Sequence, residues 1–311
     1  MNPIKSLGLT RLCFVMAGVA VLATFPALSL DYTRAMKEGR DFRGTGLAKF
    51  ATHNYTLDRH MIYAVNYGLT NLVRAHQQSF GRQIPAGFVV RYRIFGNFPD
   101  YEDYALKKYR KKINPLMLAF YSPRGKEIVT WRQKKVDSWR LFPTLQHEGC
   151  HAIMDEMFGQ LAFWMIEGSA DWFGEAPAWL KKNEKGLLPV GKDQQQRWIR
   201  LENMRRRGQL PDMQKYLLSE EYKDWDKMFK GDIGMGYDIG WSIFDFFMTT
   251  HPKSTAFLGA VVNDPAVVRA RRDGPKEAAF VQAIDKSWQG GIKLLEKGWH
   301  TWIQRKSAAA E

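Results

Sequence analysis

The spacing of apolar residues predicts two long amphipathic helices, one in each half of the chain. In residues 59–80, apolar side chains recur at intervals of three or four, and Gly81 follows where such a helix would end. The apolar positions of this first helix are Ile62, Val65, Leu69, Leu72 and Val73. The same spacing predicts the last helix of the chain, through Ile292, Leu295, Trp299 and Trp302.

Shorter apolar runs between these helices predict a small β-sheet. Strands are expected at residues 51–57, 88–95, 116–121 and 127–131. The turn signal Ser122-Pro123-Arg124-Gly125 separates the last two strands, and a further helix is expected at 100–112. After a polar stretch at 181–193, the chain is mainly helical in pattern. We therefore predict an α+β fold, in which a small mixed sheet and its helices (30–180) precede a mainly helical C-terminal lobe (181–311).

The segment His147-Glu148-Gly149-Cys150-His151 carries the clearest chemical signal. Histidines four residues apart on a helix project from one face, so the two imidazoles can share one Zn²⁺. Glu148 would lie beside the metal, where it can take a proton from an activated water. Pro143, upstream, suits the start of the helix. The alternative interpretation is a histidine pair with a purely structural role.

A second segment, Trp164 to Asp171, supplies a candidate third ligand. Glu167 is well placed for this role, and three protein ligands leave a fourth position for water, which is typical of catalytic zinc sites. Cys150 points in a different helical direction from the two histidines. We therefore expect it to pack in the core rather than to act as a ligand or nucleophile.

These two segments resemble the gluzincin group of zinc metallopeptidases, which includes thermolysin-like enzymes and zinc aminopeptidases. They are especially similar to secreted peptidase-MA-like proteins, in which H-E-x-x-H is followed by W-x-x-E-G-x-A-x-(aromatic)-F. Residues 164–173 of this chain read W-M-I-E-G-S-A-D-W-F. The resemblance implies one Zn²⁺ per chain, with His147, His151 and Glu167 as ligands and Glu148 as the general base.

The resemblance also implies roles for neighbouring residues. Asp171 would accept a hydrogen bond from a ligating histidine and so fix its ring. In gluzincins the edge strand of the sheet lines the cleft and pairs with an extended peptide, and residues 127–132 correspond to that strand. The substrate-binding residues expected on it are Ile128, Val129 and Thr130. The interval between the motifs is shorter than in thermolysin-like enzymes, and the chain has Ala162-Phe163 where the peptidase-MA-like proteins often place a proline before the tryptophan.

A weaker match lies downstream, at Tyr237 to Gly240. It is similar to the Y-x-x-G with which zinc aminopeptidases begin a helix, and whose tyrosine supports the oxyanion. By this resemblance, Tyr237 would donate a hydrogen bond to the negative oxygen of a tetrahedral intermediate. The alternative is core packing, because Tyr237, Trp241, Phe244 and Met248 would share one helical face.

Residues 1–29 have the pattern of a secretory signal peptide. Lys5 and Arg11 precede or flank a short apolar run, and small residues precede an expected cut after Ser29. The protein is therefore predicted to be exported to the periplasm or the extracellular space. An uncleaved amino-terminal membrane anchor is the alternative, and no other stretch predicts a transmembrane segment. After cleavage, Cys150 would be the single cysteine, so no internal disulfide is expected.

The chain is strongly basic, with a formal net charge of +14. Basic residues cluster at 107–112, 205–207 and 271–272. Tyrosines beside the first cluster would also suit a nucleic acid, but an exported protein meets anionic envelope polymers and lipid headgroups instead. We therefore predict attraction to anionic envelope surfaces and no specific nucleic-acid recognition.

Together these features predict a secreted zinc metallopeptidase that hydrolyses peptide or protein substrates. No G-x-M-E-N-type motif of zinc aminopeptidases precedes residue 147, so endopeptidase action is expected. Two other functions fit the same residues. One is a catalytically inactive, peptidase-like binding protein of the cell envelope, against which the intact Glu148 argues. The other is a zinc amidase that acts on cell-wall material.

Overall fold

The computed structural model describes six stretches of the chain, which form a mixed α/β fold. These stretches contain twelve helices and one small four-stranded mixed sheet, so the described part of the chain is mostly helical. The described residues are 41–115, 117–132, 138–174, 190–249, 254–273 and 276–309. The expected signal peptide at 1–29 and the expected domain boundary at residue 180 lie outside them, and both stay predictions.

Four short strands form the sheet in the order β1-β2-β4-β3. Their bounds are β1 Ala48–His53, β2 Val90–Phe95, β3 Ala119–Ser122 and β4 Glu127–Trp131. Strands β1, β2 and β4 are parallel, whereas β3 is antiparallel to β4 and forms the edge. A strand is present near each predicted position, and β4 has the predicted bounds. The first strand begins and ends earlier than predicted, because Asn54 adopts a left-handed conformation (φ 53°) and turns the chain out of the sheet.

Two helices flank this sheet in sequence, α1 (Arg59–Phe80) and α2 (Phe98–Tyr109). The bounds of α1 are those predicted. Its first turn is capped by Asp58, whose carboxylate accepts a hydrogen bond from the His60 amide, and Gly81 ends it in the left-handed conformation. Helix α2 ends three residues before the predicted position, because Arg110 adopts a left-handed conformation (φ 56°).

The candidate ligands lie on α3 (Ser138–Phe158) and α4 (Phe163–Gly174). Pro143 lies inside α3, not at its start, so the helix begins earlier than predicted and lacks the hydrogen bond that a residue with an N–H would donate there. The remaining helices are α5 Val190–Arg206, α6 Met213–Leu217, α7 Tyr222–Met228, α8 Ile233–Thr249, α9 Ser254–Asn263, α10 Pro265–Asp273, α11 Lys276–Ser287 and α12 Gly291–Ala308. None of the helices in the described stretches is long and apolar enough to span a bilayer.

Helix α3 packs against the sheet and α1 on one side and against α4 on the other. Its Gly149 lies so close to these neighbours that an added Cβ would be 2.7 Å from a methyl group of Leu69 and 2.9 Å from the hydroxyl oxygen of Tyr92. The glycine within the H-E-x-x-H segment therefore permits the close approach of α3 to the core. The buried Cys150 confirms the prediction that this side chain faces the core.

Helix α4 packs closely on α8, through two facing glycines. An added Cβ on Gly168 would lie 2.6 Å from the carbonyl oxygen of Gly240, well inside van der Waals contact. This contact joins the helix that carries Glu167 to the helix that carries Tyr237. The spacing of α4 and α8 therefore affects both halves of the candidate site.

We predict that Gly168→Ala destabilises the protein by about 1–3 kcal/mol, because the added methyl forces α4 away from α8. Urea unfolding measures the effect. Gly259→Ala in α9 is the matched control, since its Cβ would come no nearer than 3.7 Å to any neighbour. There the alanine should be neutral or stabilise the helix by up to about 1 kcal/mol. Equal effects at the two positions would contradict this account of the packing.

We also predict an acid-dependent loss of stability from His76, which is fully buried in α1 and stacks on Phe173 of α4 with centroids 4.0 Å apart. Burial lowers the pKa of His76 to about 4, only partly opposed by its hydrogen bond to the Leu72 carbonyl. The unfolded chain takes up this proton near pH 6.5, so stability falls as pH drops from about 6.5 to about 4. Urea unfolding measures the free energy of unfolding at pH 7 and at pH 4.5. Between these two values, His76→Leu should lose about 2 kcal/mol less of this free energy than the wild type does. Identical losses would contradict the prediction.

Candidate metal centre

The structure brings the three predicted ligands, His147, His151 and Glu167, together. Nε2 of His147 lies 3.6 Å from Oε2 of Glu167, and Nε2 of His151 lies 3.8 Å from Oε1 of the same carboxylate. One ligand atom from each of the three residues lies within 4.8 Å of the others. The two histidines are one turn apart on α3, and α4 places Glu167 opposite them.

The imidazole of His147 is held by Asp171. Nδ1 of His147 lies 3.2 Å from Oδ1 of Asp171, which leaves Nε2 facing Glu167. Burial alone would lower the pKa of His147, but the hydrogen bond to Asp171 and the nearby Glu167 carboxylate, 3.6 Å away, raise it well above its usual value. A carboxylate behind a histidine ring is the arrangement that fixes the orientation of a ligating imidazole. Asp171 therefore makes the contact that the resemblance implies, and its role beside a metal ligand stays a prediction.

The imidazole of His151 has a different environment. Burial lowers its pKa to about 4, so the ring is neutral at physiological pH, as a metal ligand must be. Its Nδ1 is buried and has no hydrogen-bond partner among the described residues. The rings of His147 and His151 are perpendicular, with centroids 4.8 Å apart, and the Nε2 atoms of both lie near Glu167.

The residues present fit a tetrahedral metal ion. Ligand bonds of about 2.1 Å at tetrahedral angles place neighbouring donor atoms about 3.4 Å apart. The separations of 3.6 Å from His147 to Oε2 of Glu167 and of 3.8 Å from His151 to Oε1 are close to this value, and one donor atom from each residue lies within 4.8 Å of the others. Oε2 of Glu167 is buried and has no hydrogen-bond partner among the described residues, although a buried carboxylate oxygen normally has one. A cation would satisfy this oxygen.

Glu148 is buried beside the three ligands, with 7% of its surface exposed. Burial raises its pKa to about 7, against the opposing charge of His147, while Glu167 adds to the increase. One carboxylate oxygen accepts a hydrogen bond from the backbone amide of Tyr121 in β3, whereas Oε2 has no hydrogen-bond partner in the described part of the chain. The charge of Lys111 also acts on this carboxylate.

Tyr237 is connected to the metal centre by hydrogen bonds through Tyr222, a residue that the sequence analysis missed. The hydroxyl of Tyr222 donates a hydrogen bond of 2.9 Å to Oε1 of Glu167 and is itself hydrogen-bonded to the hydroxyl of Tyr237. Because the Tyr222 proton is directed at Glu167, Tyr237 is the donor of the second bond. The catalytic role of Tyr237 stays a prediction.

Arg197 is a second site residue that the sequence analysis missed. Its Nη1 donates a hydrogen bond of 3.1 Å to Oδ2 of Asp171, on the side of the carboxylate away from His147. Burial would raise the pKa of Asp171, but Arg197 and His147 hold it below its usual range. Basic residues are numerous in this chain, and no spacing rule distinguishes Arg197 from the others.

The prediction that residues 127–132 form an edge strand is wrong, because β4 is an interior strand. The main chain of β4 pairs with β2 on one side and with β3 on the other, so it offers no free edge to a peptide. Ile128, Val129 and Thr130 are fully buried, and the Thr130 hydroxyl bonds the carbonyl of Leu118. On this side of the sheet the edge strand is β3, and its Tyr121 amide donates a hydrogen bond to Glu148. The prediction failed because pairing between β2 and β4 is a long-range contact.

The basic clusters are partly neutralised within the fold. Lys108 lies 2.7 Å from the buried carboxylate of Glu127, and Arg205 and Arg206 both pair with Glu202. These basic side chains therefore form ion pairs within the protein in addition to contacting solvent. Attraction to anionic envelope surfaces stays a prediction.

Comparison with known proteins adds no relative of this chain. A scan against models of protein families found no match, and a search of curated proteins found none. The resemblance to gluzincins therefore depends on residues 147–151, 164–173 and 237–240 and on the arrangement of their side chains.

We predict that the protein binds one divalent metal ion per chain at this centre. His151→Ala and Glu167→Ala should each weaken binding roughly 100-fold or more, since loss of a ligand exceeds the 10–100-fold effect of losing an outer hydrogen bond. Metal content by mass spectrometry and affinity by competition with a chelator measure this. His60→Ala, which removes an exposed histidine, is the control and should bind as the wild type does. Equal binding by all four proteins would contradict the assignment.

Proposed function

We propose that this protein is a zinc-dependent metallopeptidase in which Glu148 is the general base for attack of water on a peptide bond. The observation that carries the proposal is the cluster of His147, His151 and Glu167, with the buried Glu148 carboxylate beside it. Two imidazoles and one carboxylate are the donor set of hydrolytic zinc enzymes. The antiparallel edge strand, the two site helices and the helices that follow are consistent with a gluzincin core.

Zinc held by these three residues would supply a Lewis acid that lowers the pKa of water and polarises a carbonyl. Glu148 performs the proton transfers. Its unpartnered oxygen accepts the proton of the attacking water, and the same carboxyl then donates it to the leaving amine. The backbone amide of Tyr121 donates a hydrogen bond to the same carboxylate and favours its ionised form, in which it can accept a proton.

The edge strand β3 is the proposed site of substrate binding. Among the described residues its main chain pairs with β4 on one side only, so the other edge can pair with an extended peptide. The amide of Tyr121 places this edge beside Glu148. Backbone pairing holds a peptide with little demand on its side chains, which suits an endopeptidase. Tyr237, linked to the centre through Tyr222, is the proposed donor to the oxyanion, and its single O–H would then turn from the Tyr222 hydroxyl to the substrate oxygen.

We also propose where the enzyme acts and what it contacts there. Export to the periplasm or the extracellular space would place the enzyme among envelope proteins and peptides, which are its proposed substrates. Basic side chains at 107–112, 205–207 and 271–272 would favour contact with anionic envelope surfaces. These surfaces concentrate the enzyme and do not enter the chemistry.

We predict that Glu148→Gln lowers peptidase activity about 10²–10⁴-fold while the zinc content is unchanged, because glutamine keeps the shape of the side chain but cannot accept a proton. Cleavage of casein and of a quenched-fluorescent peptide library, each with metal analysis, measures this. Glu156→Gln is the control, since Glu156 is on the same helix and its carboxylate is paired with Lys126 at 3.7 Å rather than with the candidate ligands.

The outcomes separate the proposal from its alternatives. Removal of the metal by a chelator should abolish wild-type activity, and added Zn²⁺ should restore it. Cleavage of purified cell-wall fragments without cleavage of protein would instead identify an amidase. Zinc binding with no turnover of either substrate would identify a binding protein and overturn the proposal.

A further inference from the structure

Two carboxylates of the metal centre, Glu167 and Asp171, are held by side chains from helices that follow the two ligand helices in sequence. Tyr222, at the start of α7, donates a hydrogen bond of 2.9 Å to Glu167. Arg197, in α5, donates one of 3.1 Å to Asp171. Neither residue is part of the H-E-x-x-H segment or of the segment that contains Glu167. The helices that follow α4 therefore contact the centre directly.

Tyr222 distinguishes the two oxygens of Glu167. Its hydroxyl donates to Oε1, which is also 3.8 Å from Nε2 of His151, whereas Oε2 is 3.6 Å from Nε2 of His147 and has no hydrogen-bond partner among the described residues. A carboxylate held at one oxygen offers the other to a cation in a single orientation. The ring of Tyr222 is itself fixed by an edge-on contact with Phe163 (centroids 4.9 Å apart) and by the hydrogen bond from Tyr237.

Arg197 likewise binds one of the two carboxylate oxygens of Asp171. Its guanidinium binds Oδ2, and Oδ1 is left for the His147 ring, 3.2 Å away. The guanidinium is held in turn by Asp238, 3.5 Å from its Nε, and by the face of Trp241, 5.1 Å from its carbon. A fixed, ionised Asp171 holds the His147 ring with Nε2 turned toward Glu167.

We propose that Tyr222 and Arg197 are positioning residues of the metal centre, which set the metal-facing oxygen of Glu167 and the ring orientation of His147. This inference rests on the metal site of the proposed function. It implies that the H-E-x-x-H helix and α4 do not form the full-affinity site alone. Helices α5 and α7 complete it through two hydrogen bonds.

The experiment measures the Zn²⁺ affinity of the full chain by competition with a chromophoric chelator. Tyr222→Phe and Arg197→Met should each weaken binding about 10–100-fold, the range for loss of a hydrogen bond to a ligand or to its supporting group. Arg197→Lys should recover part of the loss, because it restores a positive charge beside Asp171.

Two matched controls separate positioning from general damage to the fold. Arg205→Met removes another arginine of α5, which pairs with Glu202 through Nε at 2.7 Å and forms no described contact with Asp171 or Asp238. Tyr216→Phe removes a buried hydroxyl that donates to the Gly236 carbonyl at 2.7 Å, close in sequence to Tyr222 but not bonded to Glu167. Both controls should bind Zn²⁺ within about threefold of the wild type, a change well below the 10-fold minimum expected for the positioning residues.

A spectroscopic readout tests the geometry itself. With Co²⁺ in place of Zn²⁺, the visible absorption bands report the number and arrangement of ligands. Tyr222→Phe should change these bands, because Glu167 can then present either oxygen or both, whereas Tyr216→Phe should leave them unchanged. Thermal unfolding in the presence of a chelator checks that each variant folds.

Each outcome supports or overturns a specific statement. A wild-type protein that binds neither Zn²⁺ nor Co²⁺ overturns the proposed function and this inference with it. A wild type that binds both, beside variants that bind as tightly as their controls with unchanged Co²⁺ spectra, overturns only the positioning roles. Equal losses in variants and controls would also overturn them, because the effect would then be structural.

Discussion

The close approach of α3 to α4 is the constraint on which the candidate site depends. An added Cβ on Gly174 would lie 3.0 Å from the Cα of His147, so the two backbones nearly touch. This contact places the Glu167 carboxylate against both imidazoles and removes it from water. A buried carboxylate is costly unless hydrogen bonds or a cation compensate it. Tyr222 and the histidines provide part of this compensation, and a divalent cation would provide the remainder.

Elements with local signals at their ends could be predicted closely. Helix α1 has its predicted bounds because Asp58 caps one end and Gly81 the other, and neither signal depends on the rest of the fold. The ends of β1 and α2 could not be predicted from such local signals. Each element ends at a single residue in the left-handed conformation, Asn54 after β1 and Arg110 after α2. The start of α3 was also missed, because tertiary packing outweighs the tendency of Pro143 to begin a helix.

The same distinction between local and long-range signals applies to the site. The shared face of His147 and His151 follows from helical periodicity within a single turn. Tyr222 and Arg197 are 55 and 26 residues from their partners in the chain, and no periodic pattern connects them. The edge strand was misassigned for a related reason. Strand β4 precedes the ligand helix in sequence, but its pairing with β2 makes it interior and leaves β3 at the edge.

Charge balance supports the proposal of a cation at this centre. Asp171 and Asp238 are each paired with an arginine of α5, so their burial is compensated within the chain. Within the described residues, neither Glu148 nor Glu167 forms an ion pair with a lysine or arginine, although both carboxylates are buried. A divalent ion beside Glu167 would lower the electrostatic cost of both carboxylates together. Because such an ion binds the folded chain and not the unfolded one, it would also stabilise the fold. The contact between α3 and α4 would then be strengthened by the same ion that the proposed chemistry requires.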